Sequence, residues 1–187
     1  MQIILRLFKA AREPRNWGTI AIVLVGAGFL VLGGTRSRSD RAINPDTCTV
    51  DHVSDGDTIA VTCPQGKQRI RLCGVDAPEK AQEFGQESKT NLEQILKSGK
   101  AKIVPIETDR YGRTVAEVWT EDGGILANER QAEAGLAWYY TQYADNCPNK
   151  MAIADAEAIA KKRKSGLWSG NPKAPWTWRK EQKGKGV

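Results

Sequence analysis

Three short polar clusters contain residue types that could carry out chemistry, and each interrupts a run typical of a β-strand. They are Asp55-Gly-Asp-Thr58, Arg71 followed by Asp76-Ala-Pro-Glu79, and Asp109-Arg-Tyr-Gly-Arg113. Taken singly, each is typical of a solvated turn, because Asp, Gly and Pro are common turn residues. Asp57 and Arg71 fit that interpretation less well, since a charge at the start of a strand or inside an apolar one adds nothing to β-propensity.

Together the clusters contain the groups that hydrolysis of a phosphodiester requires. Two carboxylates can hold a hard cation through oxygen ligands, and a third can activate or orient a water molecule. Two guanidinium groups can clamp a phosphate and stabilise the charge that develops on it. The sequence has no His/Cys set with zinc spacing, no Walker loop and no Ser/His pairing, and its sole histidine, His52, is predicted as a strand residue.

The hydrophobic pattern indicates which elements must position these clusters. Short alternating or β-branched runs, separated by Asp55-Gly56 and Pro64–Lys67, predict a three-stranded meander, and two more strands follow a helix that stops at Gly99. The predicted strands are 49–53, 58–62, 69–75, 101–107 and 114–119, and the predicted helices are 82–98, 125–136 and 152–164. This order predicts an α+β domain over 47–169, a five-stranded OB-fold-like β-barrel with three packed helices.

Both ends of the chain lie outside the predicted barrel. Residues 1–16 are basic, and Asn16–Thr35 is an uncharged segment whose helix would span about 30 Å, the thickness of a bilayer core. We therefore predict a transmembrane helix or signal anchor over 17–34, with Trp17 at the interface; a cleaved signal peptide is the alternative. Residues 35–46 are a polar linker, and the Pro-, Trp- and Lys-containing tail, 170–187, is expected to fray at its end.

The net charge of +6 belongs mainly to the N-terminal segment. Of 28 Lys/Arg and 22 Asp/Glu residues, seven and two lie in 1–45, so 46–187 holds 21 basic and 20 acidic residues. This balance gives the domain little general attraction for nucleic acid, and any such function must come from a local site. Four basic residues precede the apolar segment and three follow it, a slight preference for a domain outside the cytoplasm.

From about Cys48 to Trp168 the chain resembles the thermonuclease family, the staphylococcal-nuclease-like domains. Five blocks in family order carry the resemblance: Asp55-Gly-Asp-Thr58, Ile70-Arg-Leu-Cys-Gly-Val-Asp-Ala-Pro-Glu79, Asp109-Arg-Tyr-Gly-Arg113, Gly135-Leu-Ala137 and Lys164-Ser-Gly-Leu-Trp168. Pro175-Trp-Thr-Trp-Arg179 also resembles an extension found on many bacterial members. Five ordered blocks form a specific signal, much stronger than any one motif.

The resemblance implies a calcium ion bound by Asp57, Asp76 and the backbone carbonyl of Ala77. It implies that Glu79 is the general base or orients the attacking water. Many members have Thr where this chain has Ala77, so a carbonyl ligand is kept while a hydroxyl near the metal is lost. The loop from Glu79 to Phe84 also lacks the lysine-rich insertion of the best-known member, which predicts a weaker grip on substrate there.

Substrate contacts are implied in the same way. Arg71 and Arg113 would clamp the phosphate, and Tyr111 would line the nucleotide pocket. A second pocket tyrosine is not fixed by position; the candidates are Tyr139, Tyr140 and Tyr143.

The resulting hypothesis is a monomeric, calcium-dependent endonuclease for DNA and/or RNA. It would be tethered to a membrane with its catalytic domain periplasmic or at the cell surface, and secreted if the N-terminal segment is cleaved. The alternative is a nuclease-like module that has lost catalysis and binds nucleic acid or protein. A site that has lost catalysis would have substitutions at one or more of the catalytic positions. All five residues are present: Asp57, Arg71, Asp76, Glu79 and Arg113.

The four cysteines allow three pairings. If the first hairpin turn is centred between Asp55 and Gly56, position 48 lies opposite position 63, and cross-strand β-carbons are close enough for a disulfide. We therefore predict Cys48–Cys63 and, by elimination, Cys73–Cys147. Such bonds persist in oxidising compartments, whereas the alternative is four buried thiols in a cytoplasmic domain.

Overall fold

The computed structural model describes residues 46–185, and its centre is a closed five-stranded barrel. The barrel strands are β1 (Asp46–Val53), β2 (Thr58–Cys63), β3 (Gly66–Leu72), β5 (Lys100–Thr108) and β6 (Thr114–Thr120). Around the barrel the order is β1-β2-β3-β6-β5, and β5 pairs again with β1. All neighbours are antiparallel except β3 and β6, which are parallel. The predicted α+β fold class and five-stranded barrel are confirmed.

Alternation of side chains along the strands builds the core. In β2 and β3, Ile59, Val61, Ile70 and Leu72 are almost completely buried, while Thr62 and Arg69 between them are exposed. β-Branched residues favour this pleated, half-buried surface. Arg71 lies between Ile70 and Leu72, so its side chain leaves the barrel on the face opposite to the core.

The third predicted strand, 69–75, is two strands in the structure. β3 ends at Leu72, and Val75–Asp76 forms β4, which pairs with β7 (Trp138–Tyr139) in a separate two-stranded sheet. The break falls at Gly74, whose φ of 70° is favoured by glycine. A Cβ at this position would also lie 3.3 Å from Cys147 Sγ. Because of this break, Arg71 belongs to the barrel, whereas Asp76 belongs to the two-stranded sheet.

Residues 46–185 contain four α-helices, one more than the three predicted for the domain. They are α1 (Gly85–Ile95), α2 (Ala127–Glu133), α3 (Lys150–Arg163) and α4 (Pro175–Lys185). The predicted tail forms α4 as far as Lys185, and its last two residues lie outside the described residues. Pro175 suits the first position of a helix because its φ is already restricted, and the Trp176 ring stacks on Tyr140, with centroids 5.2 Å apart and an interplanar angle of 9°.

Both predicted disulfides are confirmed, Cys48–Cys63 and Cys73–Cys147, with Cα–Cα distances of 4.4 and 6.1 Å. The hairpin geometry behind the first prediction is corrected in detail. The pairing of Val53 with Ile59 centres the turn on Gly56, half a residue later than expected, and an irregularity between Val50 and His52 shifts the register. The two offsets cancel, so the cysteines still meet.

The predicted N-terminal helix, 17–34, lies outside the described residues, as do most of the linker and the last two residues. From Asp46 to Lys185, no helix is both long and apolar enough to cross a membrane.

Candidate active site

The three polar clusters predicted to act together line one cleft of about 620 Å³ at the side of the barrel. Asp57 and Arg71 come from the start of β2 and the end of β3, and Asp76 is the second residue of β4. Glu79 follows in the next loop, and the turn between β5 and β6 supplies Arg113. The cleft therefore collects these residues from five separate parts of the domain.

Asp57 is buried, with 6% of the residue exposed, and both oxygens of its carboxylate accept hydrogen bonds. Oδ2 accepts a 2.6 Å hydrogen bond from the Ala77 backbone N–H, and Oδ1 accepts one of 3.0 Å from the Thr58 hydroxyl. Asp55 Oδ1 in turn accepts the Asp57 N–H at 3.1 Å. Burial, reinforced by the nearby Asp57 charge, raises the pKa of Asp55 to about 6.

Arg71 joins the two carboxylates predicted to bind metal. Its Nη1 lies 2.9 Å from Asp57 Oδ2, and its Nη2 lies 3.0 Å from Asp76 Oδ1. Asp76 is 1% exposed. One guanidinium group therefore bridges the two carboxylates.

The donor set is chemically compatible with the calcium ion that the family resemblance implies. Asp57 and Asp76 offer carboxylate oxygens, and the buried Ala77, which follows Asp76 in the chain, offers a backbone carbonyl. Oxygen ligands of this kind are the ones that a hard cation prefers. Among residues 46–185, no three His, Cys, Asp or Glu side chains are grouped to hold an ion by themselves.

Glu79 lies at the cleft on a tightly wound loop. Its backbone N–H donates to Gln82 Oε1 at 3.0 Å, and its carbonyl accepts the Gln82 N–H at 2.8 Å. Gly85 is required where this loop meets α1, because a Cβ there would lie 2.1 Å from the Glu79 carbonyl oxygen. The Glu79 side chain is partly exposed, so water can reach its carboxylate.

The β5–β6 turn holds Arg113 by local hydrogen bonds. Asp109 Oδ1 accepts the backbone N–H groups of Tyr111 and Arg113 at 2.8 and 3.0 Å, and Oδ2 accepts Arg113 Nε at 2.7 Å. Burial pushes the pKa of Asp109 upward, but the hydrogen bonds from Arg113 and Tyr111 outweigh it and hold the pKa below its ordinary value. Since Asp109 engages Nε, the two Nη groups of Arg113 can donate to a substrate.

The tyrosine candidates separate into two groups. Tyr111 lines the cleft and is 64% exposed, with the Arg113 guanidinium 5.6 Å from its ring centroid. Tyr140 and Tyr143 also line the cleft, and their ring centroids are 5.1 Å apart. Tyr139 pairs with Val75 and packs against the core instead.

Two buried amides that the sequence did not single out support the site. Gln131 Nε2 donates to the carbonyls of Gly56 and Ser88 at 2.5 and 3.0 Å, so α2 is tied to the loop that precedes Asp57. Asn128 Nδ2 donates to the Cys73 carbonyl at 2.8 Å, and its Oδ1 accepts the Val118 N–H at 3.0 Å. Polar residues on a predicted amphipathic helix suggest a solvent-facing side, which is why their role was missed.

A third arginine, also missed, enters the cleft from α4. Arg179 Nη2 lies 2.6 Å from Asp76 Oδ2, and its Nη1 lies 3.2 Å from Asp76 Oδ1 and 2.8 Å from Glu79 Oε1. The only signal in the sequence is the position of Arg179 at the end of the Pro175–Arg179 motif, since 103 residues separate it from Asp76.

Comparisons with known proteins find one family and several relatives that are similar to this chain. Residues 69–170 match the family described as "Staphylococcal nuclease homologue". A protein of Escherichia coli O157:H7 named "Uncharacterized endonuclease" is 38% identical over 131 residues, which cover 70% of this chain and 82% of that protein. One of the same name from Haemophilus influenzae is 36% identical over 140 residues, 74% of this chain and 75% of that protein. A "Staphylococcal-like nuclease" of Arabidopsis thaliana is 35% identical over 119 residues, 63% of this chain and 35% of that protein.

Proposed function

The chain belongs to the family of staphylococcal nuclease homologues, and from that membership we propose that it is a calcium-dependent endonuclease for DNA and/or RNA. The observation that carries the proposal is the pairing of Arg71 with both Asp57 and Asp76, next to Glu79. These four groups are the ones that metal-assisted phosphodiester hydrolysis requires, and they lie together on one wall of the cleft.

Each residue has a role that its surroundings support. A calcium ion held by Asp57, Asp76 and the Ala77 carbonyl would supply positive charge next to a phosphoryl oxygen. Glu79, partly exposed at the cleft, accepts the proton of the attacking water or orients that water.

Arg71 and Arg113 donate to the non-bridging phosphate oxygens as negative charge builds on them. Tyr111, with Tyr140 and Tyr143 as further candidates, offers a ring on which a base can stack.

The test is cleavage of single- and double-stranded DNA and RNA by the purified full-length protein, with calcium or with excess chelator. We expect cleavage in calcium, none in chelator and less in magnesium, which prefers a tighter octahedral shell. Glu79→Gln should lower turnover about a hundredfold. Glu83→Gln, which neutralises an exposed carboxylate four residues away, is the matched control.

Two outcomes would contradict the proposal. Full activity in chelator would remove the metal from the mechanism. Binding of nucleic acid without cleavage under every condition would instead indicate a nuclease-like binding module.

We also propose that residues 17–34 tether the domain to a membrane with the cleft on the extracytoplasmic side. The two disulfides, Cys48–Cys63 and Cys73–Cys147, support this location, because structural disulfides persist in oxidising compartments. Peptide mapping without reduction, on protein taken from its native membrane, should recover both linked pairs. Free thiols in that sample, or recovery of the protein in the soluble fraction, would contradict the proposed location.

A further inference from the structure

Arg179 contacts two of the carboxylates to which the proposed mechanism assigns roles, yet it lies outside the part of the chain that matches the family, 69–170. Its guanidinium forms a bidentate ion pair with Asp76, and Nη1 also contacts the Glu79 carboxylate. The Asp76 side chain is 1% exposed, and the Arg179 side chain is 38% exposed. A bidentate pair with a buried carboxylate has a defined geometry, unlike a mobile surface ion pair.

The helix that carries Arg179 is fixed to the domain on its aromatic side. The Trp176 ring stacks on Tyr140 and meets Trp138 edge-on, with centroids 6.3 Å apart. Just before the helix, the Lys173 carbonyl accepts a 2.8 Å hydrogen bond from Gln82 Nε2, in the same loop as Glu79. These contacts set where α4 begins, and Arg179 lies one turn further along the helix, above the carboxylates.

Two arginines thus share Asp76. Among the described residues, Oδ1 accepts from both Arg71 Nη2 and Arg179 Nη1, while Oδ2 accepts from Arg179 Nη2. Arg71 offsets only one of the two negative charges of the Asp57–Asp76 pair from the barrel side. Arg179 adds a second positive charge at Asp76, where a divalent cation would also be attracted. Arg179 is also the ion-pair partner of Glu79.

We propose that Arg179 is a positioning residue of the active site, which fixes the carboxylates of Asp76 and Glu79 and competes with the divalent cation for Asp76. The inference rests on the proposed nuclease function. It predicts two effects of opposite sign when the guanidinium is removed. Cation affinity rises, because a positive charge in contact with a ligand carboxylate is lost. Turnover falls, because Glu79 is no longer held in one orientation.

The experiment compares the full-length wild-type protein with Arg179→Ala, Arg179→Gln and Arg179→Lys. Calcium binding is measured by calorimetry without substrate, and kcat and KM are measured at saturating calcium. For Arg179→Ala we expect calcium to bind roughly tenfold more tightly and kcat to fall about tenfold, with KM changed less than about twofold. Arg179→Gln, which keeps the bulk of the side chain and loses its charge, should behave in the same way.

Arg179→Lys separates charge from geometry. It restores the positive charge, so calcium affinity should return near the wild-type value, but an ammonium group cannot form the same fork, so kcat should recover only in part. Lys180→Ala is the matched control, because it removes an exposed charge from the neighbouring position of α4. It should leave both measurements unchanged.

The outcomes distinguish this inference from the function on which it rests. A wild-type protein that cleaves nucleic acid, with the alanine and glutamine variants equal to it in both measurements, overturns the role of Arg179 alone. Calcium affinity and kcat that fall together, with a lower melting temperature, also overturn it, because Arg179 would then only anchor α4. A wild-type protein that never cleaves overturns the proposed function and this inference with it.

Discussion

The two sides of the cleft hold their charged groups in different ways. On the barrel side, Asp57, Arg71 and Asp76 are buried or nearly so and share hydrogen bonds across several elements. On the turn side, Arg113 is held within a five-residue turn by Asp109, and Tyr111 is 64% exposed.

The difference in burial implies a difference in what each side contributes. Buried charges lose hydration, so they remain in place only when partners satisfy them, and breaking one pair leaves another charge uncompensated. A turn held by its own side chain has no such connection to the core. We therefore expect changes on the barrel side to lower both activity and stability, and changes on the turn side to lower activity alone.

The largest effect is expected for Arg71→Ala. Turnover should fall by about a hundredfold or more, because the variant loses a phosphate-stabilising group. The free energy of unfolding in chelator should fall by about 3 kcal/mol, since Asp57 and Asp76 then face each other without the shared guanidinium. Denaturant unfolding and single-turnover kinetics measure the two effects. Lys67→Ala, an exposed charge on the same strand, is the control, and an unchanged unfolding midpoint for Arg71→Ala would break the comparison.

Arg113→Ala should separate activity from stability. We expect turnover to fall about a hundredfold, through lost stabilisation of charge on the phosphate. The free energy of unfolding should change by less than about 1 kcal/mol, because the Asp109–Arg113 pair is local and partly exposed. Arg110→Ala, in the same turn, controls for the lost positive charge and should lower turnover at most a few-fold. Wild-type turnover in Arg113→Ala would show that this arginine only stabilises the turn.

The contrast between the two sides also explains what the sequence could predict. The five barrel strands, three helices and the Cys48–Cys63 pairing follow from local periodicity and turn residues, which are properties of neighbouring positions. The β4–β7 pair does not, because its two strands are more than sixty residues apart in the chain. The three polar clusters were identifiable because each combines charges with a turn. The helical tail was not, since α4 depends on the contact of Trp176 with Trp138 and Tyr140, more than thirty residues earlier in the chain. Arg179 could not be assigned a role for the same reason.

Gln131→Ala tests whether the hydrogen bonds from α2 stabilise the barrel side of the cleft. The change leaves the Gly56 and Ser88 carbonyls without their buried donor and opens a small cavity, which should lower the free energy of unfolding by about 2 kcal/mol. Turnover of the folded protein should fall only a few-fold, because no charged group is removed. Arg130→Ala, which removes an exposed side chain from the same helix, is the matched control. Equal stability of the two variants would mean that α2 does not fix the barrel side.

The smallest effect is expected for Tyr111→Ala. An exposed ring adds nothing to the core, so the melting temperature should match that of the wild type. Loss of a stacking surface for one base, worth about 1–3 kcal/mol, should instead raise KM roughly tenfold with little change in kcat. Tyr111→Phe keeps the ring and should stay near the wild-type KM, which distinguishes stacking from a role of the hydroxyl. A fall in kcat that follows that of Arg113→Ala would show that the ring serves to hold the arginine, whose guanidinium lies 5.6 Å from its centroid. In that case the turn side would be a single coupled unit rather than independent contacts.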